Sequence, residues 1–351
     1  MIAEFILPSD NRWLSFLKKA GHDFYHLPEY TVFSAKYEGG KPGAFYIEDQ
    51  GTALLVPVLT YDLPAFLDSG AGGCDLLSAY GYPGPIFSDK VSDTQARRLF
   101  SGFVDLARQR GVVSVFLRAH PLLECASDIM AEFGTLVSHG RTVYGKMHAE
   151  HGSVWSGLSR AHKTRVNKLK RLGYVSVCND FRYWDDFISI YQDTMSRVHA
   201  KKFYFFTKEY FNDMKRTFGD HLYFWSVISP EGDLASAAIF FETSGIVQYH
   251  LSGTAETHIN MSPSKLLLYE VGNWAIDFGA NYYHLGGGLG GKEDSLFKFK
   301  SSFFKNYASF FTFRMVVDEG KYDRLKREWI SKFGKDGYNN DYFPLYRCPI
   351  E

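Results

Sequence analysis

One stretch constrains this chain more than any other: Asn281-Tyr-Tyr-His-Leu-Gly-Gly-Gly-Leu-Gly-Gly-Lys-Glu-Asp-Ser-Leu-Phe-Lys-Phe-Lys-Ser-Ser-Phe-Phe304. It reads as a short strand, a glycine-dense turn and a short basic-aromatic helix. Glycines at this density mark a sharp turn or a backbone that something approaches closely. Two phosphate-binding patterns fit by spacing: Gly286-x-Gly288-x-x-Gly291 as a dinucleotide fingerprint, and Gly286-x4-Gly291-Lys292 as a near P-loop. The P-loop fails at Glu293, where magnesium needs Ser or Thr and a carboxylate would face the phosphates. The dinucleotide pattern fails on its surroundings. The following helix is short, the strands upstream have antiparallel character, and little chain remains to complete a doubly wound sheet.

A length of 351 residues allows two domains of ordinary size. The composition loosens near Gly145 to Gly157, which places the boundary between domains at 1–150 and 151–351. Zero formal charge argues against a partner such as DNA held by the whole surface, but leaves room for a local basic groove. Cys74, Cys125, Cys178 and Cys348 show no paired spacing, so a reducing compartment is expected. The first ten residues do not resemble a secretory signal, and no run is long and apolar enough to span a membrane. The expectation is a cytoplasmic protein with at most peripheral membrane contact. His148, His151, His162 and His199 lack metal-ligand spacing, so no metal is expected.

In the first half, helices are expected over 11–20 and 28–36, and strands over 44–48 and 53–59 around Asp49-Gln-Gly51. The segment Asp75 to Phe87 reads as a rigid Gly/Pro turn presenting Tyr80 and Tyr82. A helix over 91–110 and a buried strand over 112–117 follow. In the second half, a basic helix over 159–171 carries Arg160, Lys163, Lys168 and Arg171 on a broad face, either solvated or aimed at phosphates. Helices over 185–200 and 208–218 lead to a meander of strands over 223–228, 235–241 and 246–251. A helix then starts at Ser262, as N-cap, with Pro263 in its first turn. Both halves run helices, meander, helix, strand, which points to an internal duplication.

This order, with Ser-Pro-Ser-Lys opening the long helix, is similar to the acetyltransferase-like (GNAT) fold. The ordered set Ser78–Pro85, Arg165-Val-Asn-Lys-Leu-Lys, Met195-Ser-Arg197 with Tyr204-Phe-Phe206, Ser264-Lys-Leu-Leu267, Gly279–Gly286 and Phe299-Lys-Ser-Ser-Phe-Phe304 resembles the Fem-type family. These are aminoacyl and acyl transferases built from two GNAT-like halves. The resemblance implies an α+β fold, two tandem GNAT-like domains with mixed, mainly antiparallel sheets flanked by helices.

It also implies acyl transfer to an amine of a cell-envelope precursor carrying a nucleotide or lipid diphosphate. The acyl donor would be a co-substrate, aminoacyl-tRNA or acyl-CoA, with no tightly bound cofactor. The family's lysine matches Lys300, whose expected role is to face negative charge developing on the carbonyl oxygen; Lys298 is the fallback. Arg165, Lys168 and Arg197 are expected at substrate phosphates or carboxylates, Tyr204 also at the substrate, Tyr80 and Tyr82 at the acceptor, and Ser264, Lys265 and Gly287 at the donor. His250, mid-strand, is the expected base if one is used, with His284 second. The chain lacks the long helical hairpin of members that use transfer RNA. It also lacks the glycine-rich pyrophosphate loop of ordinary acetyltransferases, so the donor stays open. Two rivals are a coenzyme-A-dependent N-acyltransferase on an amino sugar of a surface polysaccharide, and an inactive Fem-like binding module.

Overall fold

Continuous apolar runs, buried on both faces, set the central strands of the first sheet. In the computed structural model, which describes residues 1–66, 72–88, 90–147, 154–334 and 341–349, contacts divide the chain into two units. One comprises residues 1–139 with 310–351, the other residues 140–309. The expected boundary at residue 150, with His148 and His151, falls outside the described residues.

The first unit opens with β1 (Ile2–Ile6), α1 (Asn11–Leu17), α2 (Pro28–Glu38), β2 (Lys41–Asp49) and β3 (Thr52–Asp62). Strands β2 and β3 pair through Asp49↔Thr52, and the turn residues Gln50 and Gly51 have φ of 50° and 83°. Positive φ at both positions is what a tight hairpin matching strand twist requires. The expected Gly/Pro turn is strand at both ends, β4 (Cys74–Leu77) and β5 (Ile86–Phe87), both pairing β3. Next, α3 (Asp93–Gln109) starts at a reciprocal Ser92–Gln95 cap and buries Leu99, Phe100, Phe103 and Ala107 on the sheet. Each large side chain so buried contributes about 1.5–3 kcal/mol. The unit continues with β6 (Val112–Arg118), parallel to β4, and α4 (Ser127–Phe133).

Strand β7 (Thr135–Lys146) carries the chain into the second unit. There follow α5 (Val154–Gly157), α6 (Arg160–Arg171), β8 (Val175–Cys178), α7 (Trp184–Arg197), α8 (Lys208–Phe218), β9 (Leu222–Ile228), β10 (Leu234–Thr243) and β11 (Ile246–Thr254). Then come α9 (Ser264–Phe278), β12 (Tyr282–Gly286) and α10 (Ser295–Lys300). The sheet order is β8-β9-β10-β11-β12-β7, with only β11 and β12 parallel. Its core joins Val166 and Leu169 of α6 with Leu267, Val271 and Ala275 of α9, over Phe240 and Tyr283.

The chain ends with β13 (Asn306–Val316) and α11 (Glu319–Phe333). Residues 310–351 belong to the first unit, not to the second half as sequence order implies, because β13 pairs antiparallel with β6. The first sheet therefore runs β1-β2-β3-β4-β6-β13. Each unit repeats one plan: four antiparallel strands, a helix, a parallel strand and a sixth antiparallel strand. The fold is α+β with mixed, mainly antiparallel sheets. One local expectation fails. Ser262 has φ of 52° and cannot take the extended backbone of an N-cap; Pro263 occupies that position.

Candidate functional site

The parallel pair of the second unit is short. β11 and β12 are matched at Ile246↔Tyr282, Val247↔Tyr283 and Gln248↔His284, and the ladder stops there, although β11 continues to Thr254. Just past that point both strands lose register with their outer neighbours. Between β10 and β11 the shift leaves His250 unmatched, and between β12 and β7 it leaves Leu285 unmatched. An extra residue bends its strand and increases its twist. Two such bends, one on each strand, end the pairing in a wedge.

Helix α10 delivers a cation to this wedge. Asp294 caps it, accepting the N–H groups of Phe297 at 2.9 Å and Leu289 at 3.0 Å. Burial alone would raise the Asp294 carboxyl, but those N–H groups and the charge of Lys300 hold it below its ordinary range. A Cβ on Gly288 would lie 2.4 Å from Asp294 Oδ1 and 2.1 Å from Lys292 O, and one on Gly140 would lie 2.1 Å from Gly291 O. Gly288 thus makes room for the chain's own cap, and Gly140 of β7 for the Gly291 carbonyl, close approaches that need no bound phosphate.

Lys300 is 8% exposed, and its Nζ donates to Gly287 O at 2.7 Å. The Nζ also lies 5.7 Å from the centre of the Tyr249 ring, on β11. Lys300 therefore bonds the residue just past β12 and faces a ring of β11. Burial pushes its ammonium down to about 8, against the opposing pull of Asp294. An ammonium has three donors, and among the described residues only Gly287 O takes one. Lys298, the fallback, is exposed.

His162 escaped the sequence reading except as a non-ligand, yet it stands beside α10. Its ring stacks on Phe303 at 4.7 Å, and its Nε2 is 3.3 Å from Ser302 Oγ. Burial and the charge of Lys265 hold it down to about 4, so it is neutral near pH 7. Its signal in the sequence was positional: three residues after Ser159, which caps α6. Tyr249 was missed as well; its hydroxyl donates to Ser252 Oγ.

The expected substrate and donor residues separate into groups. Arg165 Nη1 donates to Asn260 O at 3.1 Å, which ties α6 to the segment leading into α9. Burial and the charge of Arg165 push the Lys265 ammonium down, so these two cations share one region. Lys168 is exposed on the same helix. Ser264 opens α9 without a side-chain cap bond, and Gly287 supplies the carbonyl that holds Lys300. Arg197 donates to Thr254 O at 3.3 Å at the end of β11, and Tyr204 O accepts from Tyr191 Oη at 2.8 Å.

His250 does not join Lys300. Its ring meets Phe241 at 5.4 Å, and Phe241 in turn meets Phe218 of α8. Tyr249 stacks on Phe240, which belongs to the core under α9. Phe240 and Phe241 are adjacent on β10 and face opposite sides, so His250 and Lys300 lie on opposite faces of the sheet. Burial also holds His250 down to about 3. His284 is buried with its Nδ1 2.6 Å from Gln248 Oε1, a core contact.

Tyr80 and Tyr82 lie in the first unit. The Tyr80 N–H donates to both Glu38 carboxylate oxygens, at 3.2 and 3.0 Å, and burial pushes the Glu38 carboxyl up to about 7. Tyr82 packs edge-on against Tyr25, His120 and Phe310.

Residues 156–300 match the family model described as acetyltransferase (GNAT) domain. The second unit carries a GNAT domain. Among solved structures, FemX superposes with a TM-score of 0.69 over 92% of this chain and 99% of its own, at 12% identity. L-PGS from Bacillus licheniformis superposes with a TM-score of 0.55 over 88% of this chain and 93% of its own, at 13% identity. Both likenesses establish the fold, which for FemX runs nearly end to end. A comparison with curated proteins finds no match. Among the described residues, no helix is long and apolar enough to cross a membrane.

Proposed function

We propose that the chain is a Fem-type acyltransferase whose GNAT domain forms an amide on an amine of a cell-envelope precursor, a peptidoglycan or a nucleotide- or lipid-linked glycan. The observation that carries this reading is the wedge between β11 and β12, with the buried Lys300 ammonium bridging Gly287 O and the Tyr249 ring. An acyl group placed in the wedge meets that cation. The acceptor nitrogen attacks the acyl carbonyl carbon, the C–N bond forms, and the π electrons move onto oxygen. The two remaining N–H bonds of Lys300 stabilise that oxyanion in a site with little water. Collapse breaks the bond to the donor's sulfur or ribose oxygen, which departs with the proton released by the amine. His162 and His250 are both held well below neutrality by burial, which suits an acceptor amine that arrives deprotonated.

The cations Arg165 and Lys265 near the start of α9 support a phosphate-bearing donor at this end of the domain. Both coenzyme A and transfer RNA meet that description. Isotope transfer from labelled acetyl-CoA and from charged transfer RNA, each offered with a wall-precursor amine and with an amino sugar, decides the donor and acceptor. The expected result is consumption of one donor, lost in Lys300→Ala. Full activity in Lys300→Ala overturns the site, and failure to consume any acyl donor favours a binding module.

A further inference from the structure

The segment after α7 presents an apolar and basic surface that the transfer reaction leaves unused. Helix α7 ends at Arg197, and His199, with φ of 50°, turns the chain while its N–H and that of Ala200 close the helix end on Ser196 O and Met195 O. From there, side chains alternate. Tyr204 is fixed through its carbonyl by Tyr191 Oη, and Phe206 stacks on Tyr210 at 4.0 Å and 8°. Next to these anchors Phe203 is 47% and Phe205 42% exposed, and Val198, at the end of α7, is 46% exposed. Isolated exposed apolar residues need no explanation. Three within eight positions, on a backbone held by neighbouring aromatic anchors, are a built feature.

Charge points to the partner. Between Asp193 and Glu209 the sequence holds Arg197, His199, Lys201, Lys202 and Lys208 and no carboxylate. Lys208 is engaged by Asp185 at 2.8 Å, but Lys201 and Lys202 are exposed beside the phenylalanines. We infer that residues 198–205 dock the protein on an anionic lipid bilayer, with Phe203, Phe205 and Val198 entering the interface and Lys201 and Lys202 on the lipid phosphates. Aliphatic Val198 and the phenyl rings lack hydrogen-bonding groups, and Val198 has no face on which a base could stack, so the composition fits a bilayer interface better than a nucleic acid. The inference goes beyond acyl transfer and stands whether or not that reading holds.

The test is cosedimentation of the full chain with vesicles of equimolar phosphatidylglycerol and phosphatidylcholine, against vesicles of phosphatidylcholine alone. Binding is expected only with the anionic vesicles and is expected to weaken as salt rises. Phe203→Ser and Phe205→Ser should each weaken it about tenfold, and Lys201→Glu with Lys202→Glu about 25-fold or more. All four positions are exposed, so thermal melting should stay within the wild-type range and exclude unfolding as the cause. Absence of binding to either vesicle overturns the inference, as does binding that none of these variants weakens. Binding of single-stranded polyuridine in place of the vesicles, lost in the same variants, also overturns it and assigns the patch to nucleic acid.

Discussion

The same parallel strand pair is built twice, closed in one unit and open in the other. In the first unit, β4 and β6 match at Cys74↔Val112, Asp75↔Ser114, Leu76↔Val115 and Leu77↔Phe116. Ser78 continues the join: its N–H donates to Phe116 O at 2.8 Å, and its Oγ accepts the Arg118 N–H at 3.0 Å. Asp75, fully buried, accepts from Tyr346 Oη at 2.6 Å, Ser114 Oγ at 2.7 Å and Arg347 Nε at 2.7 Å. In the second unit the matching ladder ends after Gln248↔His284, and the charge buried beside it is Lys300, which among the described residues donates only to Gly287 O. A buried ion whose bonds are all taken is structural. One with donors to spare, at a parted strand pair, is the one the proposed transfer would use.

The largest effect should come from the closed side. Asp75→Ala leaves the Arg347 guanidinium and two hydroxyls without their shared acceptor, and should cost about 3–5 kcal/mol of unfolding free energy in a denaturant titration. If the loss is under about 1 kcal/mol, the picture of Asp75 as the seal of the closed pair fails. On the open side, Lys300→Ala should leave the melting temperature close to wild type while lowering kcat about 100- to 1000-fold, the range for losing one oxyanion donor. Comparable stability losses in the two variants would erase the distinction.

Much of this architecture was legible in the residues. The hairpin at Asp49-Gln-Gly51, the helix on Leu99 and Phe103, and the repeated order of elements follow from local period and turn chemistry. Lys300 was separable from Lys298 only through its family resemblance, because two lysines two residues apart look alike until α10 buries one of them. The return of 310–351 to the first unit was not legible. β13 gains its identity by pairing with β6, and local sequence does not encode a partner nearly 200 residues away. His250 misled for a related reason: period-2 alternation places it mid-strand but cannot say which face looks toward Lys300. The glycines misled by count, since Gly288 yields to the chain's own carbonyl and carboxylate atoms.

A smaller effect separates stability from activity at Lys300 itself. Its folded-state value of about 8 lies below the ordinary 10.5 because burial disfavours the charge. The unfolded chain therefore binds more protons between those values, so this group's contribution to stability rises with pH across that window and carries its full penalty below about 8. Lys300→Met removes the penalty and gives up the bond to Gly287 O. It should gain about 1–2 kcal/mol at pH 7 while remaining inactive. The gain should shrink as pH climbs from 8 toward 10. A gain that is flat with pH would show that burial does not push the lysine down in the folded protein.

The smallest effect tests the closure directly. Ser78→Ala keeps the backbone bond to Phe116 O but removes the hydroxyl that accepts the Arg118 N–H. Losing one such bond costs about 1 kcal/mol, too little to unfold the unit but enough to loosen the pair locally. Amide hydrogen exchange should therefore quicken at Arg118 about fivefold, with Val115 and Phe116 deeper in the ladder unchanged. If exchange quickens along the whole of β6, Ser78 is part of the ladder's global stability. If it quickens nowhere, the pair is closed by its backbone and by Asp75 alone, and the contrast with β11 and β12 rests on the buried charge, not on the serine.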